Sequence, residues 1–131
     1  MDRHMDVTES KLDDLSPSQC QRVGEVLARV GDKWTVLVIN DLGEGPRRFS
    51  QLRRDIAGVS QRMLTLTLKN LERDGLVSRA VTASVPPRVD YALTDLGRSM
   101  LVPVRALGQW AQAHIPQMDA ARDRYAAKEK A

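Results

Sequence analysis

The chain has 131 residues, a formal net charge of +3 and a single cysteine, with 42% hydrophobic and 28% charged residues. That length predicts one domain with a real core, small enough to gain from dimerisation. One thiol excludes an internal disulfide and a zinc ribbon; no apolar run reaches the ~18–20 residues that span a bilayer and no signal-peptide pattern opens the chain, so a cytoplasmic protein is expected.

The distribution of charge is more informative than its sum. Residues 45–90 hold nine Lys/Arg against four Asp/Glu, a net of +5, which leaves −2 for the remainder. Concentrated positive charge on one segment is the electrostatic footprint expected of a phosphate-binding surface.

In chain order, residues 1–17 are polar and aperiodic, with four Asp and one Glu, and are expected to form a flexible N-terminal arm. Pro17 suits a first helical turn with Ser16 or Ser18 at the cap. Val23, Val26, Leu27 and Val30 then share one helical face, and Gly31 closes the helix. Residues 32–42 are almost wholly apolar and are read as a central helix, capped by Asp32 and stopped by Gly43. Lys33 falls at the solvent edge of that helix, positioned for a phosphate. Residues 45–56 give a Gly-Pro turn, two arginines (Arg47 and Arg48), a buried Phe49 and a short helix capped by Ser50. Leu52 and Ile56 form its inner face, and Arg53 and Arg54 point out.

A three-residue turn leads to residues 60–75, where Leu64, Leu68 and Leu71 make one apolar stripe. Ser60 can cap this helix and Gly75 can end it in the left-handed conformation. Its outward face carries Gln61, Arg62, Thr65, Lys69 and Arg73. Gln and Arg donate hydrogen bonds to purine edges, and Ser and Thr reach phosphates or a thymine methyl, so this face has the chemistry of a major-groove recognition helix. Two short helices joined by a glycine-containing turn form a helix-turn-helix. The alternative is a solvated polar face on an ordinary surface helix.

Residues 76–83 and 89–93 alternate and are β-branched, which predicts a hairpin whose tip holds Pro86 and Pro87. A hairpin directly after a helix-turn-helix is a wing, and Arg88 near its tip is placed for a minor groove or a phosphate. Thr94 caps a last long helix, with Leu96, Met100, Val104, Leu107, Ala111 and Ile115 on one face. Pro103 is expected to kink this helix and Pro116 to break it, leaving residues 116–131 as a separate or frayed helical tail. The predicted class is mainly α with a small β-hairpin (α+β), a winged helix-turn-helix domain over 18–115 flanked by dimerisation helices.

With that order of elements the chain resembles the HxlR-type winged-helix transcriptional regulators, bacterial proteins related to the MarR class. The resemblance is carried by GDKW (31–34), GPRRFSQLRRDI (45–56), SQRMLTLTLKNLERDGLVSR (60–79), VPPRVDYALTDLGR (85–98) and LGQWA (107–111). It implies a homodimer in which the first and last helices pack on their mates, with Val23, Leu27, Leu107 and Trp110 at the seam. Two recognition helices would then meet successive major grooves of a near-palindromic double-stranded operator. By position, Ser60, Gln61, Arg62 and Thr65 would touch bases or phosphates, Lys33, Arg47, Arg48 and Lys69 the backbone, and Arg88 the wing's groove. Leu66 stands where the family usually has a polar residue; it could touch a thymine methyl or pack on the short helix before it, and simple tolerance of an exposed leucine is preferred.

Many such regulators carry a reactive cysteine near the start of the first helix, and Cys20 lies close to that position. A thiol in a first helical turn sees the N-terminal partial positive charge, and Arg22 is nearby; both favour the thiolate. The family's Cys-Pro pair is Cys20-Gln21 here, and the alternative is a structural cysteine at the dimer seam. Two further readings share the fold: a regulator switched by a small-molecule ligand, and a dimeric interaction module without DNA binding. An enzyme is not expected. His4 and His114 lack neighbours at nucleophile or metal-ligand spacing, no glycine-rich phosphate loop exists, and no cofactor or metal is implied.

Overall fold

The computed structural model describes residues 14–130. Of the arm expected over residues 1–17, residues 1–13 lie outside the described part, and Ser16 and Pro17 belong to a helix start. Helix α1 (Pro17–Val30) opens on a reciprocal cap: the Gln19 N–H donates to Ser16 Oγ at 3.3 Å, and the Ser16 N–H donates to Gln19 Oε1 at 2.9 Å. None of its residues is buried.

Helix α2 (Lys33–Leu42) is the central element. Its start is fixed by the Thr35 N–H donating to Asp32 Oδ2 at 3.0 Å, and it buries Thr35, Val38, Ile39 and Leu42. Helix α3 (Phe49–Asp55) begins two residues earlier than a Ser50 cap would place it. Arg48 is extended at the N-cap, and Gln51 Oε1 accepts its N–H at 2.8 Å, so Gln51 supplies the start signal expected of Ser50. Helix α4 (Gln61–Arg73) is capped as expected, by the Met63 N–H on Ser60 Oγ at 3.1 Å, and ends before Gly75 at φ +77°. Its buried face is Leu64, Leu68 and Leu71 together with Thr67, which the leucine spacing alone does not reveal.

Strands β1 (Val77–Thr82) and β2 (Arg88–Leu93) pair antiparallel from Val77↔Leu93 to Thr82↔Arg88. The far edge of β2 gains a partner that local alternation does not predict, a bridge between Arg47 and Tyr91. The pairing leaves no unsatisfied N–H and C=O at the middle of that edge.

The last helical segment is divided. Helix α5 (Asp95–Ser99) is followed by α6 (Leu101–Lys130), with Met100 between them. Pro103 is the reason: it lacks an N–H and its ring excludes the Ser99 carbonyl, so the chain restarts its helix and Pro103 falls in the first turn of α6, where an N–H has no helical partner anyway. The expected break at Pro116 does not occur, and α6 runs through it to Lys130. Thr94 joins three elements. Its hydroxyl donates to the Gly75 carbonyl at 2.6 Å and accepts the Gly97 N–H at 3.0 Å. Gly97 is required there, since a Cβ would lie 1.9 Å from the Leu76 carbonyl oxygen.

The core is continuous across these elements: Val38, Ile39 and Leu42 from α2, Leu52 and Ile56 from the α3 region, the three leucines of α4, Leu76, Val77 and Leu93 from the hairpin, and Leu101 from α6. Each fully buried leucine contributes about 1.5–3 kcal/mol by burial, so the inner face of α4 holds its outer face in a fixed orientation.

Candidate nucleic-acid interface

Because Leu64, Thr67, Leu68 and Leu71 are locked inward, Gln61, Arg62, Thr65 and Lys69 are all exposed on the opposite side of α4. Ser60 sits at the same end. Its oxygen is occupied as the cap acceptor, leaving its O–H as a donor. Arg62 and Lys69 make no salt bridge or hydrogen bond among the described residues, so their charges face solvent. The last turn of α3 adds Arg53, whose Nη1 donates to Gln61 Oε1 at 3.5 Å. The sequence shows Arg53 as outward-facing but gives no sign that it meets Gln61 eight residues on.

The remaining expected contacts divide. Arg48 is exposed at the α3 cap. Lys33 is exposed at the first position of α2, with Nζ 4.6 Å from the centre of the Trp34 ring, a cation–π contact. Arg88 lies at the start of β2 beside the wing tip, and its Nε pairs with Asp90 at 3.1 Å. Arg79, exposed on β1, adds a wing cation that was not singled out from the sequence. Arg47 differs from these in being half-buried and paired within the chain. Its backbone is bound to Tyr91, and its Nε lies 3.7 Å from Asp55 and 4.0 Å from Asp41. One Asp41 oxygen is buried with no hydrogen-bond partner, and burial, followed by the hydrogen bond and charge of Asp55, raises the Asp41 carboxyl to about 6 against the pull of Arg47. Arg47 is thus tied into the fold where α2, α3 and the wing meet.

Leu66 is 48% exposed and lines a shallow depression with Glu25, Ala28 and Arg29 of α1, so it turns toward α1. Cys20 is exposed in the first turns of α1, and the nearby Arg22 pairs with Glu25. The residues expected at a dimer seam are open in the single chain: Val23 is half-buried, and Leu27, Leu107 and Trp110 are each more than half exposed, with Trp110 stacked on His114 at 4.5 Å. Among the described residues no helix is long and apolar enough to cross a membrane, and no cluster of His, Cys, Asp or Glu could hold a metal ion.

A helix-turn-helix whose second helix offers donors outward, followed by a hairpin, is the winged helix-turn-helix fold of transcriptional regulators. The family model described as HxlR-like helix-turn-helix matches residues 29–119, and the chain belongs to that family. It is 46% identical over 103 residues to the HTH-type transcriptional regulator YtfH of Escherichia coli K12, an alignment covering 79% of this chain and 82% of that protein. Among solved structures it is similar to YtfH from Salmonella typhimurium, at 42% identity and TM-score 0.70, over 82% of this chain and 91% of that one. It is also similar to the redox regulator HypR in its reduced form, at 35% identity and TM-score 0.70, over 76% of this chain and 98% of that one. The chain is therefore a transcriptional regulator with a helix-turn-helix DNA-binding fold.

Proposed function

We propose that this regulator is a sequence-specific repressor that binds a near-palindromic operator as a homodimer and is switched by oxidation or alkylation of Cys20. The observation that carries the reading is the outer face of α4, where Gln61, Arg62, Thr65 and Lys69 are exposed over a fully buried inner face. Gln61, Arg62 and Thr65 would address base edges, Ser60, Arg48, Lys33 and Lys69 the phosphates, and Arg88 the groove beside the wing. A homodimer is favoured by the unburied α1 and the open apolar side chains of α6, since contiguous exposed apolar surface marks a contact face. The Cys20 switch is supported by its exposure at the start of α1 and by the likeness to the redox regulator HypR.

The test is fluorescence anisotropy on the DNA upstream of the chain's own gene, with reduced and diamide-treated protein, wild type and Cys20→Ser. Tight reduced binding that falls on oxidation in wild type alone supports the whole reading. An equal response from both proteins removes Cys20, and no binding to any promoter fragment removes DNA reading.

One observation favours a second, ligand-switched reading. A groove of about 770 Å³ lies between α1, the end of α4 and α5, with Val30, Leu76, Leu96 and Met100 as apolar lining and Arg73 at its rim. Tight binding indifferent to oxidation would direct attention there.

A further inference from the structure

Arg53 and Gln61 come from different halves of the helix-turn-helix, the last turn of α3 and the first position of α4. Their contact has a chemical direction. A guanidinium carries donors and no acceptor, whereas a glutamine amide has an acceptor at one end and two donors at the other. The 3.5 Å contact from Arg53 Nη1 to Gln61 Oε1 therefore selects one of the two amide orientations, with the oxygen toward Arg53 and the NH₂ turned away. The Gln61 backbone is held at the same time by the Ser60 cap, so rotation of the side chain is the freedom that Arg53 restricts.

This orientation changes what Gln61 can read. A glutamine with both ends available recognises adenine, accepting from N6 and donating to N7. With its oxygen turned toward Arg53, Gln61 leads outward with its NH₂ donors, and a donor set matches O6 and N7 of guanine or O4 of thymine. Arg62, the next residue, has no intrachain partner among the described residues and needs no such preparation.

We propose that Arg53 is a positioning residue for specificity: it orients the Gln61 amide so that α4 selects guanine or thymine, rather than adenine, at the base pair facing Gln61. The proposal rests on the reading of α4 as a DNA-recognition helix.

The experiment is selection from a randomised duplex pool by the full chain, comparing wild type with Gln61→Ala, Arg53→Lys, Arg53→Ala and Arg53→Glu. Each position is scored by its base ratios, so a general loss of phosphate attraction does not enter. Gln61→Ala locates the position by erasing preference there. Wild type and Arg53→Lys, both donor-only partners, should enrich guanine or thymine at that position. Arg53→Ala should let adenine rise there by roughly tenfold relative to wild type, the scale of one bidentate contact. Arg53→Glu accepts from the amide NH₂ and turns the oxygen outward, which should shift the position toward adenine or cytosine. Base ratios unchanged across the Arg53 series, or a wild-type preference for adenine at that position, overturn the proposal. A wild-type protein that enriches no motif overturns the DNA-reading assignment itself, and the proposal with it.

Discussion

Arg47 and Tyr91 exchange both of their backbone hydrogen bonds, at 2.9 Å from Arg47 N–H to the Tyr91 carbonyl and 2.8 Å in return. The strand-like pairing places the Arg47 guanidinium between Asp41 of α2 and Asp55 of α3, so a wing strand and two helices are joined through one residue. Neutralising Arg47 would leave two neighbouring carboxylates uncompensated at the joint. A loss of DNA binding in an Arg47 variant therefore has to be read beside its stability.

The same cluster sets a pH dependence. Asp41 has an ordinary value of 3.8 and is raised to about 6 in the folded chain, first by burial and then by Asp55. Below the unfolded value both states hold the proton and Asp41 costs nothing. As pH rises from 3.8 to about 6 the unfolded chain releases the proton while the folded chain keeps it, so stability falls through that window and levels off above it. In Asp41→Asn this loss is absent. Melting temperatures from about pH 4 to 7 should show the variant gaining on wild type as pH rises through the window. Parallel curves would show that Asp41 is not the titrating group.

Arg62→Ala should reduce discrimination between operator and unrelated DNA by about 1–3 kcal/mol if Arg62 reads a base. Anisotropy titrations on matched and mutated sites measure it directly, and equal losses on every sequence would reassign Arg62 to the backbone.

Arg88→Ala should act in the opposite way, weakening all sequences evenly and flattening the slope of log K against log salt by about 0.9 for one phosphate contact. A change confined to one base pair would place Arg88 on a base edge instead. Because Arg88 is paired with Asp90, Asp90→Asn should strengthen binding modestly.

Trp110→Asp or Leu107→Asp introduces a charge on an exposed apolar stretch of α6 without touching the core. Both should shift sedimentation toward a monomer and lose specific binding together. A monomeric variant that still binds its operator tightly would refute the dimer.

Gly97→Ala forces a Cβ to within 1.9 Å of the Leu76 backbone oxygen. The expected cost is about 1–3 kcal/mol or more, since the obstacle is backbone rather than a movable side chain. Urea unfolding gives the value, and an unchanged midpoint would mean that α5 can shift freely on the hairpin.

Most of the architecture is legible in short-range signals. Asp32, Ser60 and Thr94 announce three helix starts, and each performs the cap its chemistry suggests. The Leu64, Leu68 and Leu71 spacing fixes which side of α4 faces out, and with it the exposure of Gln61, Arg62, Thr65 and Lys69. Long-range partners are not legible. Nothing local tells that Arg47 meets Tyr91, 44 residues later, rather than solvent, or that Arg53 turns toward Gln61. Pro116 misleads for a different reason. Its ring frees the carbonyl of Gln112, an exposed residue whose carbonyl is open to solvation, and the helix persists through it.

The Thr94 hydroxyl, bonded at once to the Gly75 carbonyl and the Gly97 N–H, has a mechanical consequence. It leaves no slack between the end of α4, the base of the wing and α5, so these parts travel together. The single discontinuity beyond them is Met100, and past it extends a helix of 30 residues, about 45 Å at 1.5 Å per residue. A tilt of roughly five degrees at that joint displaces the far end of such a helix by about 4 Å. In the proposed dimer, small changes in the angle of α6 at Met100 would become large changes in the distance between the two recognition helices.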